Sequence, residues 1–394
     1  MVPRLRDDFN RRFSVENYQK FLRELDEAAG AHVDFRVCET PVFMPAEVRL
    51  HLQQAALELA QQVSHPEYLR ASIAAVPEAF RVPNDDNHPL FLAIDFALTE
   101  NENGQLEPRL IELQGFPSLY AYQVVLCQSF IKAYELGNLK YLLGDLTEAE
   151  YLRLFKEALI GGHDPENVIL MEIEPEEQKT AVDFVCTERF TGVKAVCVTK
   201  IKKRGGKLYY FDKGREIPIH RIYNRVIIDE FIKKNIRIEF DFRDDLAVEW
   251  AGHPNWYFRI SKFSMPYLDH PAVPRTFFLN ALERYPEPLS NYVLKPLFSF
   301  AGSGVIIDVT REQLEAIPAQ ERSNYILQEK ITYAPLIKTP DEPAKAEIRM
   351  MFIWQEKPRL VNWLARLSKG KMMGVDFNKN KTWIGSSGCL YEAS

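Results

Sequence analysis

Apolar positions along the chain follow two different rhythms. From Pro45 to Val63 (PAEVRLHLQQAALELAQQV), Val48, Leu52, Ala55, Ala56 and Leu59 share one face at the helical period, and Pro45 suits the first turn. The rhythm then changes to strand-like runs at Leu90–Thr99 (LFLAIDFALT) and Arg109–Leu113 (RLIEL), separated by the turn residues Asn101–Gly104 (NENG). Asn and Gly accept the positive φ of tight turns, so this reads as a β-hairpin. A long helix is expected over 119–135, and Thr147–Glu150 (TEAE) fits a capping box opening another.

From Asn167 the pattern alternates strands with helices. VILMEI is a short apolar strand, 175–190 a helix with proline in its first turn, and Val193–Ile201 a second strand. Edge strands follow at 207–211 and 215–219, then RIYNRVII (Arg221–Ile228) as another strand, which together suggest an open, mostly parallel sheet. Beyond a polar connection around 241–255 come ISKFSMPYL and a helix near 276–284. The final part runs YVLKPL, VIIDV, a helix at 311–316, YILQEKI, AEIRMMFIW and LVNWLARLS. The chain therefore divides into 1–165 (helices and the hairpin), 166–255 (α/β) and 256–394 (strands around a glycine loop).

At 394 residues and 46% hydrophobic content, the chain is long enough for two or three domains with real cores. The 49 basic and 55 acidic side chains are interspersed, without the basic concentration that nucleic-acid binding requires. The densest basic run, KIKKRGGK (Lys200–Lys207), reads as a solvated hairpin. Five scattered cysteines with no CxxC pair argue against a disulfide framework or a thiolate zinc site. The opening MVPRLRDDFNRRF lacks an apolar core, and no apolar run approaches ~18 residues, so neither a secretory signal nor a membrane span is expected. A reduced, cytoplasmic enzyme is the economical class. No HExxH or GxSxG occurs, and His253 has no metal-spaced partner, which removes zinc hydrolases and nucleophile elbows.

Candidate chemistry begins at VLKPLFSFAGSGVIID, where Lys295 sits in an apolar strand that runs into Gly302, Ser303 and Gly304. Such a hairpin either is an ordinary glycine turn beside a snorkelling lysine, or offers backbone N–H groups and a point charge to phosphates. An unpaired ammonium in apolar surroundings is costly, which favours an anionic ligand. In YILQEKI, Gln328, Glu329 and Lys330 interrupt a strand-like run. They make either an amphipathic strand or an adenine edge with a carboxylate for ribose hydroxyls. On the hairpin, Glu112 and Gln114 are two apart and share a face, and Asp95 lies on the partner strand. Two carboxylates and an amide oxygen suit a hard cation such as Mg²⁺. A rival placement uses Glu347, Asp376 and Asn378. Arg349 and Arg366, each in an apolar strand, require anionic partners, whether structural carboxylates or a phosphoryl group. The late GSSG (385–388) reads as a turn.

The order of these motifs, D…ExQ, then KPxxxxxGxG, QExI and ExR, resembles the circularly permuted ATP-grasp superfamily, in particular glutathionylspermidine synthetase-like carboxylate–amine ligases. The segment ending in RIYNRVII looks like that family's preATP-type α/β domain. The resemblance implies two α+β subdomains around ATP, with Lys295 and the glycine loop at its phosphates, Gln328–Lys330 near the base, and Lys262 as a second ATP lysine. It also implies Mg²⁺ on Asp95, Glu112 and Gln114, and Arg366 and Arg349 at the transferring phosphoryl group. Gln114 stands where relatives carry asparagine, and Ala93 where many carry arginine. The expected activity is an ADP-forming ligation of a small-molecule carboxylate to an amine through an acylphosphate. The alternatives are a non-catalytic nucleotide-binding scaffold and a phosphotransferase.

Overall fold

The computed structural model of the chain describes residues 1–298, 303–373 and 378–393. The NENG hairpin forms from β1 (Phe91–Glu100) and β2 (Leu106–Gln114), and the Asn101 side-chain oxygen ties its turn by accepting the N–H groups of Asn103 and Gln105. Further along, β3 (Val168–Glu172), β4 (Lys194–Cys197), β5 (Arg221–Asn224) and β6 (Glu249–Ala251) make a parallel sheet in the order β6–β5–β3–β4. An antiparallel sheet, order β7–β10–β8–β9, joins β7 (Thr276–Phe278), β8 (Tyr292–Pro296), β9 (Ile306–Ile307) and β10 (Tyr325–Glu329). Finally β11 (Lys345–Trp354), β12 (Pro358–Ser368) and β13 (Gly385–Ser387) add to the hairpin, giving a five-stranded antiparallel sheet in the order β13–β12–β11–β1–β2. The architecture is mixed α+β.

Helices α1 (Pro3–Arg12), α2 (Val15–Ala29), α3 (Ala46–Ser64), α4 (Tyr122–Ala133), α5 (Glu148–Ile160) and α6 (Ala181–Thr191) cover these sheets. The apolar face of α3 (Val48, Leu52, Ala56, Leu59) packs on Leu92, Ile94 and Phe96 of β1 and Ile348 and Met350 of β11. Each fully buried Leu, Ile or Phe contributes about 1.5–3 kcal/mol, so this layer anchors the five-stranded sheet. On the opposite face, Phe91, Met351, Ile353 and Val361 join the core formed by α2, α4 and α5. The rest of that face carries charge.

Thr147 and Glu150 make the expected capping box of α5. Other boundaries differ from expectation. Pro45 caps α3 instead of entering its first turn, and α6 begins at Ala181 because Pro175 opens only a short 3₁₀ turn. The strand expected over 193–201 stops at Cys197, where a 3₁₀ turn takes over. The helix expected over 276–284 is instead β7 followed by a 3₁₀ turn, Leu279–Ala281. Thr276, Phe277 and Phe278 are β-branched or aromatic, and pairing with β10 satisfies their backbone. GSSG is an edge strand, not a turn. Gly385 has φ +113°, and a Cβ there would stand 2.3 Å from the Arg36 carbonyl oxygen. The basic run lies in a small antiparallel sheet, with Lys202, Lys203 and Arg204 paired to Glu239, Asp244 and Glu216.

Candidate functional site

Strand register gathers the charged residues. Asp95 of β1 stands opposite Glu112 on one side and Arg349 of β11 on the other, and Glu347 of β11 stands opposite Arg366 of β12. Directly opposed residues project from the same face, so these five side chains form one patch on the face away from α3. A bulge beside Asp95 leaves Ile111 without a partner, and this shift lets Leu110 and Leu113 both enter the core while Glu112 stays with Asp95.

Arg349 donates from Nε and Nη2 to the two Asp95 oxygens at 2.7 and 2.6 Å. Arg366 donates from Nη2 to Asp95 Oδ2 at 3.0 Å and also to Glu347 Oε1. The other Glu347 oxygen accepts the Tyr333 hydroxyl at 2.7 Å. Asp95 is completely buried, whereas the Arg366 side chain is 42% exposed. Burial pushes the Glu347 carboxyl up, against the opposing pull of Arg366.

Two lysines reach this patch from other elements. Lys262, nearly buried at the start of a 3₁₀ turn, places Nζ 3.4 Å from Glu112 Oε2, and the Gln114 amide donates to Glu112 Oε1. Gly115 makes the approach of Lys262 possible. Its N–H donates to the Ile260 carbonyl at 2.8 Å, and a Cβ there would lie 2.6 Å from the Trp256 carbonyl oxygen. Lys295 of β8 reaches the carbonyl of the bulged Ile111 at 3.5 Å. Burial pulls the Lys295 ammonium down to about 8, although Glu112 works to raise it. Burial alone would raise Glu112, yet Lys262, Lys295, Arg349 and Arg366 outweigh it and hold its carboxyl at about 2. Four cations thus face three carboxylates, leaving one positive charge in excess.

The nucleotide residues expected from YILQEKI separate. Gln328 shares a sheet face with Lys295, since Gln328 opposes Val293 and Ile326 opposes Lys295. It is 1% exposed, and its Nε2 has no hydrogen-bond partner. Glu329 turns to Arg275, and Lys330 pairs with Asp308. The N–H groups of Glu329 and Lys330 donate to the Arg275 and Asn291 carbonyls, which leaves the Gln328 amide as the open donor of these three residues. Ser303 and Gly304 form an exposed turn in which Gly304 has φ +73°, while Gly302 lies outside the described residues. Arg349 and Arg366 do meet carboxylates, and Asp95 is their shared partner.

Among the described residues, no group of three or more His, Cys, Asp and Glu side chains is arranged to hold a metal ion. Of the rival set, Asp376 lies outside the described residues. Asn378 Oδ1 accepts from the Ser368 hydroxyl and from the N–H groups of Lys369 and Gly370, so it braces a loop. Mg²⁺ commonly takes only one or two protein oxygens, with phosphate and water completing its shell. Of the three residues expected to hold Mg²⁺, Asp95 is held by Arg349 and Arg366, and Gln114 turns its amide nitrogen to Glu112.

Arg225 escaped the sequence reading, where RIYNRVII was only a strand. It lies immediately beyond β5, at the carboxyl edge of the parallel sheet where open α/β sheets place ligands. It is 4% exposed, and its Nε and Nη1 have no hydrogen-bond partners. Its guanidinium lies 4.9 Å from the ring of Phe116, two residues after Gln114. Nearby, burial pushes the Glu172 carboxyl up to about 7 against the pull of Arg225. An arginine closing an apolar parallel strand was the available signal.

The fold has a counterpart among solved structures. A glutathione synthetase-like effector from Globodera pallida, in its apoform, superposes with a TM-score of 0.58 over 97% of this chain and 98% of that one, at 11% identity. The fold is glutathione synthetase-like. No family model matches the chain, and no curated protein matches it. Among the described residues, no helix is long and apolar enough to cross a membrane.

Proposed function

We propose that the glutathione synthetase-like fold here is a permuted ATP-grasp enzyme, an ATP- and Mg²⁺-dependent ligase joining a small-molecule carboxylate to an amine. The observation that carries this reading is the pair of lysines, Lys262 and Lys295, converging on Glu112 beside two arginines with one positive charge in excess. Such a cluster is suited to a polyphosphate, and the partnerless Gln328 amide on the Lys295 face suits an acceptor of the base. Glu112 and Gln114 would hold Mg²⁺, whose chemistry is to offset phosphate charge.

The residues then divide the work. Lys262 and Lys295 bind phosphates. Arg225, charged and lacking partners at two of its nitrogens, takes an anionic group of the acid substrate. A substrate carboxylate oxygen attacks the γ-phosphorus and ADP leaves. Arg366 stabilises the charge on the transferring group. The amine then attacks the acyl carbon, phosphate departs, and the nitrogen releases its proton. Catalysis is positioning and electrostatic preorganisation, with no protein nucleophile.

The test is incubation with Mg-ATP and pools of amino acids, other carboxylates and polyamines. ADP release that requires both an acid and an amine supports the ligase. Tight ATP binding with no turnover in any pool makes the chain a nucleotide-binding scaffold, and a phosphorylated product that survives added amine makes it a phosphotransferase.

A further inference from the structure

We propose that Glu347 and Tyr333 are positioning residues that aim Arg366 at the transferring phosphoryl group. The proposal rests on the ligase reading above. An arginine side chain has many rotamers, so one that must meet a developing charge gains from being held beforehand. Here both hydrogen bonds of Arg366 run through a single nitrogen. Its Nη2 lies between Asp95 Oδ2 and Glu347 Oε1, so the N–H groups of Nη1 and Nε are the donors left for an anion. Each of those N–H groups can meet a phosphoryl oxygen in a charge-assisted hydrogen bond.

Each element of the clamp is fixed from behind. Asp95 is bound through both oxygens by Arg349, which prevents it from turning. Glu347 opposes Arg366 in the β11–β12 register, and its remaining oxygen is occupied by the Tyr333 hydroxyl. Tyr333 follows β10, five residues beyond Gln328, and the next N–H, that of Ala334, donates to the Leu98 carbonyl of β1 at 2.9 Å. The segment leaving the base end of the site therefore carries the hydroxyl that orients Glu347. Glu347 consequently serves as a brace for an arginine, which differs from the metal-ligand role that its motif alone allowed.

The charged and titratable groups acting on Glu347 are Arg366, Asp95, Tyr333 and Glu112, and Lys295 feels it in turn. Burial raises its carboxyl, while Arg366 and the Tyr333 hydroxyl favour the carboxylate. When pH falls far enough to protonate Glu347, Arg366 loses one of its two anchors. The clamp therefore adds an acid limb to kcat.

The experiment uses the full chain and the variants Glu347→Gln, Tyr333→Phe and Arg366→Lys, followed by two independent readouts. One is the ¹⁵N signal of the Arg366 guanidinium, identified by its loss in Arg366→Lys. The other is ADP release in the substrate pool that supports turnover, measured as kcat and KM against pH. In Glu347→Gln the Arg366 protons should exchange faster than in the wild type, with kcat lower on the order of 10²-fold and KM for ATP unchanged, as for a catalytic group displaced by about an ångström. Tyr333→Phe, which leaves the Arg366–Glu347 pair in place, should move the acid limb of kcat to higher pH, and it serves if Glu347→Gln fails to fold. Arg366 signals equally protected in wild type and Glu347→Gln, a loss confined to KM, or an unmoved acid limb in Tyr333→Phe would each overturn the proposal. If no pool supports turnover, the ligase reading fails separately, and the guanidinium signals still decide whether Glu347 holds Arg366.

Discussion

Replacing Asp95 with leucine should cost this protein more than almost any other single side-chain change in its central sheet. Asp95 is completely buried and Arg349 is 8% exposed, so Asp95→Leu strands a guanidinium that cannot give up its charge. Arg349 would lose two hydrogen bonds to a charged acceptor, each about 1.5–3 kcal/mol. This agrees with the roughly 3–5 kcal/mol that breaking a buried ion pair costs. At about 2.1 cal/mol/K per residue, 394 residues unfold with an entropy near 0.8 kcal/mol/K, so Tm should fall by about 4–6 °C. Arg349→Met should cost a similar amount by leaving Asp95 with only Arg366. The double variant Asp95→Leu/Arg349→Met removes both charges and fills the gap with apolar atoms, so it should recover most of the loss. Calorimetric melts of the four proteins give the coupling energy directly. Single variants that each cost less than about 1 kcal/mol and simply add in the double would refute the reasoning, since that is how an exposed pair behaves.

Lys295 gives a prediction in pH. Its ammonium is pulled down to about 8 from 10.5, so between those values the folded chain binds fewer protons than the unfolded one, and stability should rise with pH there. Over the same range the lysine loses its charge, so nucleotide affinity should fall. Binding near pH 8–9 should therefore take up protons, measurable by titration calorimetry in buffers of different ionisation enthalpy. Gln328→Leu removes a buried amide nitrogen that has no partner, so it should leave stability unchanged or raise it by about 1–3 kcal/mol while weakening ATP binding; a loss of both would argue for a purely structural amide. Gly115→Ala pushes a methyl group to 2.6 Å from the Trp256 carbonyl oxygen, which must displace the segment carrying Lys262. A loss of about 1–3 kcal/mol in denaturant melts, together with weaker nucleotide binding, is expected.

The hairpin illustrates what was legible in the chain itself. NENG between two alternating runs specifies the turn and the register from Glu100–Leu106 to Phe96–Leu110, whereas Asp95 meets Glu112 only through the bulge that follows. The two-residue spacing of Glu112 and Gln114 likewise put both on one face. Lys295 announced a partly buried cation by interrupting an apolar strand, and the cap at Thr147 and the apolar face of α3 followed from local chemistry. The helix expected at 276–284 failed because its aromatic and β-branched residues found a strand partner about fifty residues away in β10, which no local window contains.

The partners of the charged residues were decided elsewhere. Asp95 meets Arg349 across 254 positions of chain, so a carboxylate that suggested a metal ion is met by a guanidinium. Glu347, a candidate ligand in its motif, braces Arg366, and Arg225 became noticeable only when burial left two of its nitrogens without partners. Residue types and their spacing determined which chemistry this protein carries and on which strand faces. Burial and long-range register decided which charges neutralise one another and which stay open to a ligand, because desolvation acts on side chains only after sheets distant in sequence have packed together.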